Sequence, residues 1–129
     1  MGALKILCET IPICLAVQAL APAASGQTQP VADLRTFAVC AGRLSAVMEH
    51  QWLVDGPASE ATARSREAML ALVDAVAPDG QGAQVMGWRI EAKVAHAALL
   101  TRATFGRDRL ARQRAEYLIR PCLALIGQS

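Results

Sequence analysis

The chain has 129 residues, of which 53% are hydrophobic, 19% charged and 4% aromatic, with a formal net charge of +2. That apolar content excludes intrinsic disorder, and the charge is too small to single out nucleic acid or a membrane surface as partner. Alanine at 26 positions beside so few aromatic residues excludes a β-sandwich or barrel, whose faces need β-branched and aromatic side chains.

Residues 1–26 read as a secretory signal peptide. Lys5 and the α-amino group stand ahead of the apolar run Ile11 to Leu20. Small residues from Ala21 to Gly26 then offer a cleavage site after Ala23 or after Gly26. An uncleaved anchor fits less well, because a span needs about 20 apolar residues and this stretch contains Pro12, Gln18 and Pro22. Neither Cys8 nor Cys14 sits in the small-residue pattern of a lipoprotein. The expected location is the periplasm or the exterior, with no stable membrane span once the signal is removed. Lysine is confined to Lys5 and Lys93 while arginine and alanine abound, a usage associated with GC-rich bacterial genomes.

Removal of the signal leaves Cys40 and Cys122. In an oxidising compartment such a pair is expected to form a disulfide. Closing the long loop between them contributes on the order of 4 kcal/mol in the chain-entropy account.

Residues 27–129 divide by punctuation into four helical segments of one domain. The first runs from about Val31 to Val54 and ends at Asp55-Gly56-Pro57. The second, about Ser59 to Ala77, ends at Pro78-Asp79-Gly80, and the third, about Ala83 to Phe105, ends at Gly106. The fourth starts at Asp108, a suitable N-cap, and continues to about Ile126. Short links between helices of similar length predict an antiparallel up-down-up-down four-helix bundle, all-α, with the disulfide joining first and last helices.

Apolar stripes support this reading. Leu34, Phe37, Ala41, Leu44, Met48 and Trp52 recur at helical spacing in the first segment. Val85, Trp88, Ala92, Ala95, Leu99 and Ala103 do so in the third. Met69, Leu72, Val73 and Val76 mark the second; Leu110, Tyr117, Leu118, Pro121 and Leu125 mark the fourth. Alanine on the stripes lets helices approach closely, with Trp52 and Trp88 as the expected bulky fillers. Pro121 removes a backbone donor and clashes with the Tyr117 carbonyl, so the fourth helix is expected to kink or end there.

Candidate chemistry is sparse. His50 and His96 are the two histidines, and a weak metal reading would join them to Glu49 or Glu91. Neither Glu49–His50 nor Glu91–His96 has the Glu-x-x-His spacing that puts both ligands on one face. His50 falls opposite the apolar stripe and is expected in solvent, whereas His96 falls at a stripe edge. Met48-x-His50 with Met69 and Met86 offers soft copper ligands, but methionines on apolar faces more often fill a core. Ser45 lies within a stripe, which suits a hydroxyl bonded to the carbonyl four residues back. No nucleophile motif, haem motif or phosphate-binding glycine loop occurs, and Gly80-Gln81-Gly82 is a turn. The expectation is therefore a non-enzyme without cofactor.

Charged residues on apolar arcs give one sharper idea. Glu91 and Arg102 lie in or beside the arc of the third segment, and Arg114 lies in that of the fourth. A charge facing a core must be paired, so Glu91 or Glu49 is expected to receive Arg102 or Arg114, fixing register or lining a ligand groove. The arginines at 102, 107, 109, 112, 114 and 120 spread around their helix, as a solvated surface does. The expected function is that of an envelope interaction or accessory protein with a protein partner. The alternative is a carrier of a metal or small ligand between the helices.

Overall fold

The computed structural model describes residues 28–127, with side chains from Val31 onward. The signal-peptide reading of residues 1–26, with Cys8 and Cys14, lies outside the described residues. Four helices follow in order: α1 Thr28–Val54, α2 Gly56–Val76, α3 Gly82–Thr104 and α4 Arg109–Leu125. Among the described residues none is long and apolar enough to cross a membrane.

Local chemistry explains the boundaries. The Asp55 side chain accepts the Ala58 N–H at 3.1 Å and caps α2. Helix therefore resumes at Gly56 rather than at Ser59, because Pro57 in a first turn has no donor to lose. Asp108 caps α4 as its position predicts, accepting the Ala111 N–H at 3.0 Å. Between α3 and α4 the Asp108 N–H reaches the Arg102 carbonyl at 3.1 Å, closing the end of α3. This closure puts Arg107 at φ 53°, the left-handed region that normally calls for glycine. α4 continues through Pro121 for another turn instead of ending there.

Helix directions alternate as in an up-down bundle, but α1 occupies its centre. It packs extensively on α2 and α3 and touches α4 near the disulfide, while α3 carries most of the packing with α4. One cluster joins Cys40, Ala41 and Leu44 of α1 to Met69 of α2 and Cys122 of α4. A second joins Leu34 and Ala38 to Val73 of α2 and Val85 of α3. A helix enclosed on several sides needs apolar or small residues at consecutive positions. α1 supplies them, being buried at Cys40, Ala41, Leu44, Ser45 and Ala46 alike.

Gly42 makes the α1–α3 approach possible. A Cβ there would overlap the Arg89 carbonyl oxygen and lie 3.1 Å from the Ala92 Cβ. The two helices run parallel, with Arg35 over the Trp88 ring at one end and His50 beside Thr104 at the other. Because α1 fills the middle, α2 and α3 do not pack along their lengths.

The staple forms as expected: Cys40 and Cys122 are joined, with 5.3 Å between their Cα atoms. It joins the first and last helices where they share little other packing. The stripe readings need correction at several positions. Trp52 is 62% exposed, not a core filler, and Trp88 is only half-buried. Ala95 and Val76 also face outward. In α4, Leu110, Tyr117 and Leu125 are exposed, and Ala111, Ala115 and Cys122 are the buried face. The disulfide sets that phase, since Cys122 must turn toward Cys40 and carries Ala115 and Ala111, two and three turns away, with it.

Candidate functional site

Of the concave features along the central helix, two stand out, and no side chain lines both. The first is a groove between α2 and α3, floored by α1. Gly42, Ser45 and Met48 form its floor. Ser45 Oγ donates to the Ala41 carbonyl at 2.9 Å, the expected bond to the preceding turn. It also accepts the Arg66 Nε–H at 2.9 Å, which pins the α2 wall to the floor. On the α3 side stand Met86, Arg89, Ile90 and Lys93. Met86, Ile90 and Val94 follow one another at helical spacing and are 47%, 55% and 64% exposed. Lys93 Nζ pairs with Glu49 at 2.6 Å across the floor. Neither Arg66 nor Arg89 has a carboxylate partner among the described residues.

The second feature is a cavity of about 370 Å³ between α3 and α4 beside Val47 of α1. Leu100 and Ala103 of α3 and Ala115 and Ile119 of α4 give it apolar walls. His96 lines it while being only 2% exposed, far more deeply placed than a boundary residue. Neither Nδ1 nor Nε2 of His96 has a hydrogen-bond partner among the described residues. Burial, and secondarily the Arg43 guanidinium, pushes the His96 pKa down to about 4, so the ring is neutral at pH 7. Arg112 and Glu116 of α4 stand exposed on the open side.

Arg43 links this region to the staple. Its Nη1 donates to the Leu118 carbonyl at 3.1 Å, three residues ahead of the backbone donor that Pro121 lacks. Burial, reinforced by nearby Arg114, lowers the pKa of Arg43 from the ordinary arginine value. In the sequence, the only mark of Arg43 is that an arginine stands inside the small-residue run of α1.

The other singled-out residues are placed as follows. Glu49 meets Lys93, and Arg102 meets Asp108 at 2.5 Å. Glu91 is exposed, and Arg114 lies 5.7 Å from the Tyr117 ring centroid. The structure therefore brings neither Glu49 nor Glu91 to Arg102 or Arg114. The reason is local: Arg102 finds a carboxylate six residues on across the α3–α4 turn, and α3 runs Lys93 directly past Glu49. His50 is half-buried rather than solvated, sharing a hydrogen bond of 2.9 Å with Thr104 Oγ1 and an edge contact with Phe105. No group of three or more metal-ligating side chains occurs among the described residues. In comparisons with known proteins the chain matches no family model, no curated protein and no solved structure significantly.

Proposed function

We propose that this is an exported, non-enzymatic helical protein that works by binding a partner protein, and that the partner seats an acidic amphipathic helix in the groove between α2 and α3. The observation that carries the reading is the groove itself. Its apolar residues Met86 and Ile90 are exposed, in a line that α3 continues beyond the groove to Val94, and the cations lining it outnumber the one carboxylate, Glu49. An amphipathic helix laid in a groove anchors through side chains at this same spacing. Its glutamates would meet Arg66 and Arg89, which lack carboxylate partners within the chain's described residues. Export to the periplasm or the exterior is supported by the N-terminal apolar stretch and by a buried disulfide, a bond that persists in oxidising compartments. The carrier reading draws on a separate observation, the unpartnered His96.

The test is fluorescence anisotropy with a labelled synthetic helix bearing leucines on one face and glutamates on the other. Saturable binding that weakens with salt and is lost in Ile90→Glu is expected. Ile90 is exposed, so this variant folds as the parent does. Equal binding of a helix carrying lysines for glutamates, or full binding by Ile90→Glu, would overturn the proposal.

A further inference from the structure

A buried polar group is normally hydrogen-bonded, and one that is not points to something the protein alone does not provide. His96 is such a group twice over, with both ring nitrogens unpartnered among the described residues and the side chain on a cavity wall. The cavity, about 370 Å³, falls within the size range of small-molecule sites (~300–1,000 Å³), which pair apolar walls with a few placed polar groups. Here Leu100 and Ile119 are the larger wall residues, and the polar groups are His96, Arg112 and Glu116.

The balance of charge selects the ligand. Arg112 lines the cavity and has no ion pair among the described residues, and Arg43 lies close enough to act on His96. Arg114 adds to Arg43 from α4, and Glu116 is the single carboxylate lining the cavity. A neutral imidazole has one N–H donor beside one acceptor nitrogen and a guanidinium donates up to five, so an acceptor-only head meets the donors of both. A cation would meet repulsion from the arginines, and a wholly apolar molecule would leave His96 unpaired.

We propose that the cavity between α3 and α4 binds a small amphiphilic carboxylate, with its tail on Leu100 and Ile119 and its head taken by His96 and Arg112. The carboxylate accepts the imidazole N–H and the guanidinium N–H groups, and the tail replaces water along the apolar walls. The site is independent of the α2–α3 groove, since no residue lines both. Loss of helix binding there leaves this proposal standing, and the reverse is equally true.

The experiment is an NMR titration of the oxidised chain, following the His96 ring and the Ile119 methyl groups. The probes are sodium hexanoate, hexanol and hexylamine. Hexanoate is expected to shift both sets of signals saturably at millimolar concentration, and hexylamine to leave them in place. Arg112→Glu, a change at an exposed position, is expected to weaken hexanoate about tenfold, the loss typical of one charged hydrogen bond. His96→Leu, read at Ile119, is expected to weaken it as well. Signals unmoved by hexanoate would overturn the proposal and leave water as the partner of His96. Equal affinity for hexanol, or undiminished affinity in Arg112→Glu, would overturn the carboxylate.

Discussion

Lowering the pH from about 7 to about 5 leaves the folded His96 neutral while the same residue in the unfolded chain, with an ordinary pKa of about 6.5, takes up a proton. In the fold, burial and then Arg43 push the pKa down to about 4. Between these values the unfolded state binds more protons, so stability rises with pH and falls as acid is added. The full stabilisation is present above about pH 6.5 and is lost progressively as the pH falls toward 4, levelling off below it. The whole shift corresponds to about 3 kcal/mol, and the part falling between pH 7 and pH 5 to about 2 kcal/mol. The groups facing His96 are Arg43 from α1 and Arg112 and Glu116 from α4; other titrations cancel in a comparison with His96→Leu. Urea unfolding of the oxidised chain and of this variant, at a series of pH values, isolates the histidine. The parent should lose about 2 kcal/mol more than the variant over this interval. Equal losses in the two proteins would show that His96 is not held neutral by the fold and would refute the reasoning.

Three further predictions concern the scaffold. Cys40→Ser and Cys122→Ser should each lower stability by about 4 kcal/mol in thermal or urea unfolding, equally, since either opens the same long loop. A variant as stable as the parent under oxidising conditions would contradict this. Gly42→Ala should cost about 1–3 kcal/mol, read as a lower urea midpoint, because the added methyl meets the Arg89 carbonyl and forces α1 from α3. Arg107→Gly should raise the urea midpoint, by about 1 kcal/mol of stability, since it relieves a left-handed non-glycine residue whose side chain makes no hydrogen bond or ion pair among the described residues.

What could be read in the sequence was whatever local chemistry decides. The four helices, the Asp108 cap and the Ser45 back-bond each depend on residues within four positions. The Cys40–Cys122 pair is legible from the cysteine count and the expected compartment, and the ends of α1 and α3 from Gly56 and Gly106. What a helical wheel does not give is the identity of the helix in the middle. It ranks one face of each segment, whereas α1 is buried on several; the signals were the small-residue run from Ala38 to Ala46 and the glycine within it. The wheel also favoured Leu110 and Tyr117 over Ala111 and Ala115, although facing Cys122 toward Cys40 selects the alanines. The ion pairs differed because Arg102–Asp108 spans a turn and Glu49–Lys93 depends on the parallel register of α1 and α3. His96 looked like an edge residue because the wheel of α3 contains no α4. Only the docking of α4, phased by the disulfide, closes over the imidazole and leaves a cavity beside it.

Site-directed photo-crosslinking in cells that express the full chain tests the groove most directly. A benzophenone side chain replaces Ile90 in one protein and Glu67, exposed on α2 and outside the groove, in another. The account predicts a discrete protein adduct from the Ile90 position that disappears when Arg66→Glu and Arg89→Glu are added. It predicts no matching adduct from Glu67. The same adduct from both positions, or one indifferent to the reversed charges, would contradict the claim that this groove is the working surface.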